Sequence, residues 1–319
     1  MNQISSKRKV TFGSIMKGEL GLFIIMVALI IIFATTANNF IHPNNLINIT
    51  RQVSINLIVS IGMLFVILQG ELDLSVGSVA ALAGIATAYV MSMTWNIPLG
   101  MICGVAIGVL FGALNGIFVV FGKIPSFIVT LAMMSIARGI AHVWSGGKPI
   151  SNLPEDFGVF GAGYVAGVIP VSTIIAAAFL LVGYFVLQRT KHGMYIKAIG
   201  ANREASRLTA IPVKKYTLIS FIICGTLAAV GGILTTSKLL SGVSVSNDGM
   251  EMDVISAVIL GGASLSGGKG TVIGTLLGAL IIGIINNGMN MLQISSFYQM
   301  IVKGIIIIAA VLVKRGDQA

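Results

Sequence analysis

Residues 97–121, IPLGMICGVAIGVLFGALNGIFVVF, contain no charged side chain. A helix needs about 20 mostly apolar residues to cross the hydrocarbon core of a membrane, and this stretch is long enough. Within it, every fourth residue is glycine at Gly100, Gly104, Gly108, Gly112 and Gly116. Residues four apart lie on one helix face, and small residues there let another backbone approach closely. The stretch therefore predicts a membrane-spanning helix that packs tightly against a second helix.

The composition of the whole chain indicates the same class of protein. Hydrophobic residues make up 56% of the 319 residues and charged residues only 9%, whereas roughly a quarter of a soluble domain is charged. We predict an all-α polytopic membrane protein of about ten transmembrane helices, at residues 20–37, 52–69, 76–94, 97–121, 124–143, 169–188, 217–236, 252–265, 271–292 and 297–313. The eighth stretch is short and ends in glycines, which predicts a broken or half-crossing span near 252–265.

The positions of the basic residues predict the orientation of the chain. With the N-terminus inside and alternating crossings, the cytoplasmic segments hold 15 of the 20 lysines and arginines. The outer segments hold Arg51, Lys148 and Lys238, and the spans hold Arg138 and Lys303. Because lysine and arginine favour cytoplasmic segments, both termini are predicted to be cytoplasmic. The same distribution accounts for the net charge of +10 without a nucleic-acid partner.

The chain is predicted to form a single transmembrane domain over residues 1–319. It comprises a cytoplasmic N-terminal segment at 1–19, an extracytoplasmic loop at 144–168 and a cytoplasmic connection at 189–216. The first apolar run shows no small-residue cleavage site, so we interpret it as a retained span rather than a cleaved signal. The cytoplasmic connection is long enough for one or two short helices.

One segment is similar in sequence to a phosphate-binding loop, but it lacks two residues that such a loop requires. In residues 262–270, GASLSGGKG, Ala263 stands where the ATP-binding pattern needs glycine, and Gly270 stands where it needs serine or threonine. We therefore predict that this chain hydrolyses no ATP. The sequence contains no Ser/His/Asp or HExxH arrangement, so no enzyme activity is predicted. Cys103 and Cys224 lack metal-ligand spacing, and we expect neither a metal nor a cofactor on this chain.

Two carboxylates interrupt the apolar sequence in residues 70–78, GELDLSVGS. A carboxylate at the membrane centre costs roughly 2.5–3.5 kcal/mol, so both are expected to lie in water, in a cavity or in hydrogen bonds. Asp73 is placed to cap the helix that starts near Val76, with Ser75 contributing. Direct contact with a transported solute is the alternative interpretation.

Residues 66–77 and 258–268 resemble each other, since VILQG precedes LSVG in the first segment and VILGG precedes LSGG in the second. Internal repeats are common in transporters, and their sites lie at the repeat interface. Chance similarity between glycine-rich apolar segments is the alternative to a true repeat.

Four segments resemble a known family of transporters. Residues 70–78 are similar to its GGIDLSVGS, residues 200–211 (GANREASRLTAI) to GGNExAAxxSGI, and residues 253–270 (DVISAVILGGASLSGGKG) to DAIAAVVLGGTSLxGGKG. Residues 286–299 contain the NNGMNML and SSFYQ that match the family's ending. The chain thus resembles, over roughly residues 40–315, the ribose/xylose/arabinose-type sugar permeases of ABC importers.

The chain also departs from the pattern of this family. Glu71 replaces the commoner glycine, Ala201 the second glycine of the cytoplasmic motif, and Ala210 the glycine of its SGI. The outer segment 241–252, SGVSVSNDGMEM, differs from the AQPTAGTGYEL of ribose permeases. The resemblance therefore implies a monosaccharide, ribose or a similar sugar, and a sugar-like signalling molecule is the alternative cargo.

The resemblance implies a set of partners at the bacterial cytoplasmic membrane. A second permease chain, expected to be identical, completes the pathway, and two cytosolic ATP-binding subunits bind ATP and Mg²⁺. An extracytoplasmic sugar-binding protein delivers the solute. Residues 200–211 become the coupling segment that docks on the ATPase, with candidate contacts at Gly200, Asn202, Arg203, Glu204, Ala205, Arg207 and Leu208. Their spacing places charge beside an apolar contact on a short helix; a loop held only by lipid charge is the alternative.

Uncharged polar residues in or beside the spans are candidates for the solute pathway. Amides donate and accept hydrogen bonds, which suits sugar hydroxyl groups, but they suit bonds between helices equally well. The candidate pathway or gating residues are Asp73, Ser75, Asn115, Asn286, Asn287 and Asn290. Arg138 and Lys303 are interpreted as structural anchors.

Two other classes of protein compete with an importer subunit. A self-sufficient secondary transporter or channel would favour buried, paired acids for ion coupling, and only Glu71 and Asp73 approach that arrangement. A membrane enzyme would need a catalytic constellation, which the sequence does not contain. The sequence favours a subunit that supplies the path and takes its energy from a partner.

Overall fold

The computed structural model describes residues 19–316, with side chains to residue 308. Residues 1–18 of the predicted N-terminal segment and residues 317–319 lie outside the described part. The described helices are α1 (Glu19–Thr36), α2 (Pro43–Ile67), α3 (Val76–Thr94), α4 (Ile97–Val120), α5 (Ser126–Ser145), α6 (Gly158–Ala162), α7 (Val171–Arg189), α8 (Lys191–Ala201), α9 (Arg203–Leu208), α10 (Val213–Leu239), α11 (Met250–Leu260), α12 (Val272–Met291) and α13 (Ser296–Gly316). A 3-10 turn at Glu155–Phe157 and the strands β1 (Tyr164–Val165) and β2 (Ile169–Pro170) complete the described part.

Eight of the described helices are long and apolar enough to cross a membrane: α1 to α5, α7, α10 and α12. Helix α13 adds the apolar stretch Ser296–Ile308. Each predicted span coincides with a helix, so the prediction of an all-α polytopic membrane protein is confirmed. The exact number of crossings and the side on which each terminus lies stay predictions.

The eighth predicted span is the short helix α11. At about 1.5 Å per residue, its 11 residues extend roughly half the thickness of the hydrocarbon core. It ends at Leu260 rather than near residue 265, because Gly261 and the positive-φ Gly262 turn the chain into a loop before α12 begins. The predicted short or broken segment is therefore confirmed, with an earlier end.

Two helices extend beyond the apolar runs from which they were predicted. Helix α2 begins at Pro43 rather than near residue 52, since proline suits the first turn of a helix. Helix α10 covers Val213–Leu239 rather than 217–236. The additional turns carry polar side chains, which a hydropathy criterion excludes. Arg51 and Lys238, expected in outer loops, therefore lie in the outer turns of helices.

Helix α10 lies at the centre of the bundle, in contact with α2, α3 and α4. The glycine face of α4 packs against it, because a methyl group at Gly108 would overlap the carbonyl oxygen of Gly225. In the same way, Gly278 of α12 lies against the carbonyl oxygen of Ala257 in α11. The close backbone approach expected from the glycine spacing of residues 97–121 is thus present, and the same kind of contact joins α12 to α11.

Replacement of Gly108 by alanine is expected to destabilise the bundle, because the added methyl group meets backbone atoms that have no freedom to rotate away. Overpacking of this kind costs typically 1–3 kcal/mol, so the melting temperature of the purified protein in detergent should fall. Gly139→Ala is the matched control, since a methyl group there meets no atom within 4 Å. Equal melting temperatures for the two variants would contradict tight α4–α10 packing.

The connections at the end of the bundle that was predicted to face outside are joined to each other. Strands β1 and β2 pair antiparallel in the connection between α5 and α7, and α6 packs against α7 and α10. Ile150 of this connection pairs with Gly242, which follows α10, through backbone hydrogen bonds of 2.8 and 2.9 Å. The predicted outer loop at 144–168 therefore lies against the segment at 241–252.

Candidate functional site

The connection that was predicted to be cytoplasmic folds into the two short helices α8 and α9, separated by one extended residue. This residue, Asn202, ends α8 and caps α9 by accepting a hydrogen bond of 2.9 Å from the amide of Ala205 on its Oδ1 atom. Asparagine is among the best N-cap residues because its side chain satisfies an otherwise free amide of the first turn. The predicted coupling segment is therefore a defined helical turn.

The outward side of α9 carries a charged pair beside an apolar side chain. Arg207 and Glu204 form an ion pair of 3.2 Å, and both side chains are about two-thirds exposed. Leu208 is 82% exposed, and Ala205 is exposed beside them. We call Glu204, Arg207 and Leu208 the docking surface. Its assignment to the ATPase stays a prediction.

Gly200, also predicted in the docking set, takes no part in this surface. A methyl group on Gly200 would overlap the carbonyl oxygen of Leu68 and clash with the amide of Gly268. That amide donates a 2.9 Å hydrogen bond to the Leu68 carbonyl oxygen. Gly200 therefore lets the end of α8 pack closely against two loops. One loop contains Leu68 and the other contains Gly268, and they belong to the similar segments 66–77 and 258–268.

An ion pair joins the coupling segment to the loop between α2 and α3. The Arg203 Nη1 and Glu71 Oε1 atoms are 2.5 Å apart, and the side chain of Glu71 is only 12% exposed. Glu71 was identified as a departure from the family pattern, but no signal in the sequence indicates a partner 132 positions away. The contact gives α9 a direct connection to residues 70–75.

A wide groove opens beside this ion pair. It encloses about 1110 Å³ between the turn that joins α4 to α5 and the segment from α9 to the start of α10. Its charged lining residues are Glu71, Lys123, Arg203, Arg207, Lys214 and Lys215. Five of these six side chains are basic, so the groove has a strongly positive potential at the end of the bundle that was predicted to face the cytoplasm.

Three of the predicted pathway residues form one closed cluster where α3 begins. Asp73 Oδ1 accepts hydrogen bonds from the Ser75 amide at 2.9 Å and the Ser75 hydroxyl at 2.6 Å. Asn115 of α4 donates from Nδ2 to Ser75 Oγ at 2.9 Å and to Asp73 Oδ2 at 3.3 Å. Burial raises the pKa of the Asp73 carboxyl, and these hydrogen bonds partly oppose that rise. Asp73 thus holds Ser75, the residue that precedes α3, but it accepts no hydrogen bond from the amides of the first turn, so the predicted capping of α3 by Asp73 is wrong.

The other three pathway candidates lie at the opposite end of the bundle, and they divide between two environments. Asn287 exchanges two hydrogen bonds of 2.9 Å with Asn45 and so joins α12 to α2. Asn286 and Asn290 instead line a cavity of about 290 Å³. The six predicted residues therefore lie at three separate places, and their roles in the pathway stay predictions.

The cavity contains an ion pair between Lys303 and Asp253, and this pairing was not predicted from the sequence. Lys303 Nζ lies 2.7 Å from Asp253 Oδ1, and Asn286 Nδ2 donates to Asp253 Oδ2 at 3.1 Å. Lys303, interpreted as an anchor, does join α13 to α11. Asp253 appeared only inside a longer matching segment. The partners are 50 positions apart in the sequence, so no spacing rule connects them.

Arg138 serves as an anchor for the outer segment 241–252. Its Nη1 atom donates to the carbonyl oxygens of Ser244 at 2.7 Å and Ser246 at 2.9 Å. A backbone held in this way within a helical bundle has its polar groups satisfied by protein rather than by water. The segment that differs most from the ribose permease pattern is therefore fixed by a residue of α5.

A bundle of membrane-crossing helices, with an exposed helical turn at one end and polar groups between the helices, is the architecture expected of the permease that the sequence predicts. The chain matches the model of a family described as "Branched-chain amino acid transport system / permease component" over residues 45–311. It belongs to this family, and it is a multi-pass inner-membrane protein. No solved structure is significantly similar to it.

Curated relatives of the chain include sugar permeases. It is 41% identical to the ribose import permease RbsC of Escherichia coli strain K12 over 319 residues, which cover 99% of this chain and 98% of the relative. It is 37% identical to the L-arabinose transport system permease AraH of the same strain, covering 98% and 94%. Identity to the xylose transport system permease XylH of Haemophilus influenzae is 33%, covering 94% and 97%.

Proposed function

We propose that this chain is the permease subunit of an ABC importer for a monosaccharide of the pentose class. The supporting observation is its similarity, over nearly the full length, to permeases named for ribose, L-arabinose and xylose. Residues 241–252 differ from the pattern of ribose permeases, so ribose is not favoured over the other two sugars. Ribose, L-arabinose and xylose are therefore all candidates to be compared by experiment. These residues lie at the outer end, where a delivered solute first meets the permease.

In the proposed assembly, two copies of this chain form the path and two cytosolic subunits bind ATP and Mg²⁺. A sugar-binding protein delivers the solute at the outer side. ATP hydrolysis is assigned to the cytosolic subunits, since the segment 262–270 of this chain lacks the phosphate-loop residues.

Under this proposal, a continuous series of contacts transmits the conformational change of the ATPase into the helical bundle. The ATPase contacts the docking surface on α9, and Arg203 at the start of α9 pairs with Glu71. The loop that carries Glu71 continues to Asp73, which is bonded to Asn115 of α4. A movement of α9 is thereby transferred to the start of α3 and to α4, because each of these parts is joined to the next by a direct side-chain contact or by the chain itself.

The proposal is tested by reconstituting the chain in proteoliposomes with its ATPase and its binding protein. We expect uptake of labelled ribose, L-arabinose or xylose that requires ATP, with one sugar taken up fastest. The matched control contains an ATPase variant that binds ATP without hydrolysing it. Uptake by this chain alone, without ATP, would overturn the proposal in favour of a secondary transporter or channel.

A further inference from the structure

The cavity lined by Asn286 and Asn290 has mostly polar lining residues, which helix packing alone does not require. Of its 12 lining residues, only Ile55 and Leu239 are apolar. It lies between α2, α10, α11, α12 and α13, all of which contribute lining residues. Its volume of about 290 Å³ is near the lower end of the roughly 300–1,000 Å³ typical of small-molecule sites. A space of this size suits one sugar ring better than a larger saccharide.

All polar lining residues of the cavity except Asn247 belong to helices. Lys303 is seven residues into α13, or about 10 Å along its axis. Asn286 is five residues from the end of α12, or about 8 Å. Polar side chains at such depth in a membrane are costly, and they typically mark solute or ion pathways.

Two amides in the cavity are not used by the protein itself. Gln52 and Asn56 of α2 are four positions apart, so they lie on one helix face. Both line the cavity, and both are partly exposed. Within residues 19–308, neither side-chain amide forms a hydrogen bond, in contrast to Asn287 on the neighbouring helix. Each amide therefore offers a donor and an acceptor to a solute.

The charged groups of the cavity are one ion pair and one further lysine. Asp253 and Lys303 neutralise each other at 2.7 Å, whereas Lys238, which also lines the cavity, forms no ion pair among the described residues and offers N–H donors to a solute. The Asp253 carboxylate, held by Asn286, still has lone pairs that accept hydrogen bonds from hydroxyl groups. Amides on one wall and a fixed carboxylate on another together match the mixed donors and acceptors of a polyhydroxylated ring.

We propose that this cavity is a binding station for a single sugar ring, with Gln52, Asn56 and Asp253 contacting its hydroxyl groups. The proposal rests on the proposed import function and adds a solute site within one permease chain. The sugar enters the cavity after its release by the binding protein and leaves it toward the cytoplasmic end.

The transport test uses Gln52→Leu/Asn56→Leu, which keeps the side-chain size and removes both free amides. With a saturating amount of loaded binding protein, the maximal uptake rate should fall about tenfold, as expected for the loss of hydrogen bonds to the solute. ATP hydrolysis stimulated by the binding protein should remain, since the docking surface is unaltered. Asn48→Leu is the matched control, because Asn48 is an exposed residue of α2 that does not line the cavity.

A binding test on the purified chain separates the two proposals from each other. A small thiol reagent should modify Asn56→Cys, and millimolar pentose should slow that reaction but not the modification of Asn48→Cys. The unaltered chain measures the contribution of Cys103 and Cys224. Normal uptake by Gln52→Leu/Asn56→Leu without protection of Asn56→Cys would overturn the binding station and leave the import function intact. Suppose instead that pentose protects Asn56→Cys from the reagent, but the complete complex transports no sugar. That result would support the binding station and overturn the import function.

Discussion

A permease with Leu208→Asp is expected to reach the membrane but to lose its ATPase partner and at least about tenfold of its ATP-driven uptake. Burial of a leucine side chain contributes about 1.5–3 kcal/mol to a contact, and a carboxylate in the same place adds a desolvation cost. A loss of about 1.4 kcal/mol already weakens binding tenfold. The measurements are the amount of ATPase that co-purifies with the permease and the rate of uptake.

The structure provides a control that separates docking from folding. Leu208 is 82% exposed, so its replacement removes little packing within the chain itself. Met194 of α8 is 59% exposed on the same cytoplasmic connection but lies outside the docking surface. Met194→Asp should therefore retain the ATPase. Equal loss of the ATPase from both variants would show that α9 has no special role in docking.

Reversal of the Glu71–Arg203 pair is expected to uncouple ATP hydrolysis from uptake. Glu71→Arg places two positive groups where a short ion pair stood, and Arg203→Glu places two negative groups there. A hydrogen bond to a charged group contributes about 1.5–3 kcal/mol. Since Arg203 is 46% exposed and solvent screens its charge, we expect a value near the lower limit. Uptake per ATP hydrolysed should fall about tenfold in each single variant.

The double variant Glu71→Arg/Arg203→Glu is the control for this prediction. It restores opposite charges at the same two positions, so it should recover much of the coupling that each single variant loses. The readout is the ratio of uptake to ATP hydrolysis, which a general loss of folded protein leaves unchanged. Single variants with a normal ratio would contradict transmission through this contact.

The membrane-spanning helices could be predicted well from the sequence because they depend on local composition. Long apolar runs identified every spanning helix, and the glycines at the end of the eighth run indicated that α11 is short. The helix ends were less predictable. The outer turns of α2 contain Pro43 and Arg51, and only tertiary contacts, such as the 4.9 Å approach of Arg51 to the Tyr164 ring, show that these turns belong to the bundle.

The candidate site was less predictable because its contacts join distant parts of the chain. Asn286 and Asn287 are adjacent and chemically identical, yet one lines the cavity and the other bonds to Asn45. A helix turns by about 100° per residue, so neighbouring positions face different partners. The Gln52 and Asn56 amides were not among the predicted pathway residues although both lie inside the predicted span 52–69, because the sequence does not show which amides of a span lack a partner within the protein.

The half-length of α11 has a consequence for the biogenesis of the protein. A segment of 11 residues is too short to partition from the translocon into lipid by itself, and it carries Glu251 and Asp253 in its first turn. Insertion must therefore wait for α12, whose glycine face covers α11. The carboxylate of Asp253 gains its counter-charge only after Lys303 of α13 has been synthesised. Stable insertion of α11 thus depends on two helices that follow it in the chain.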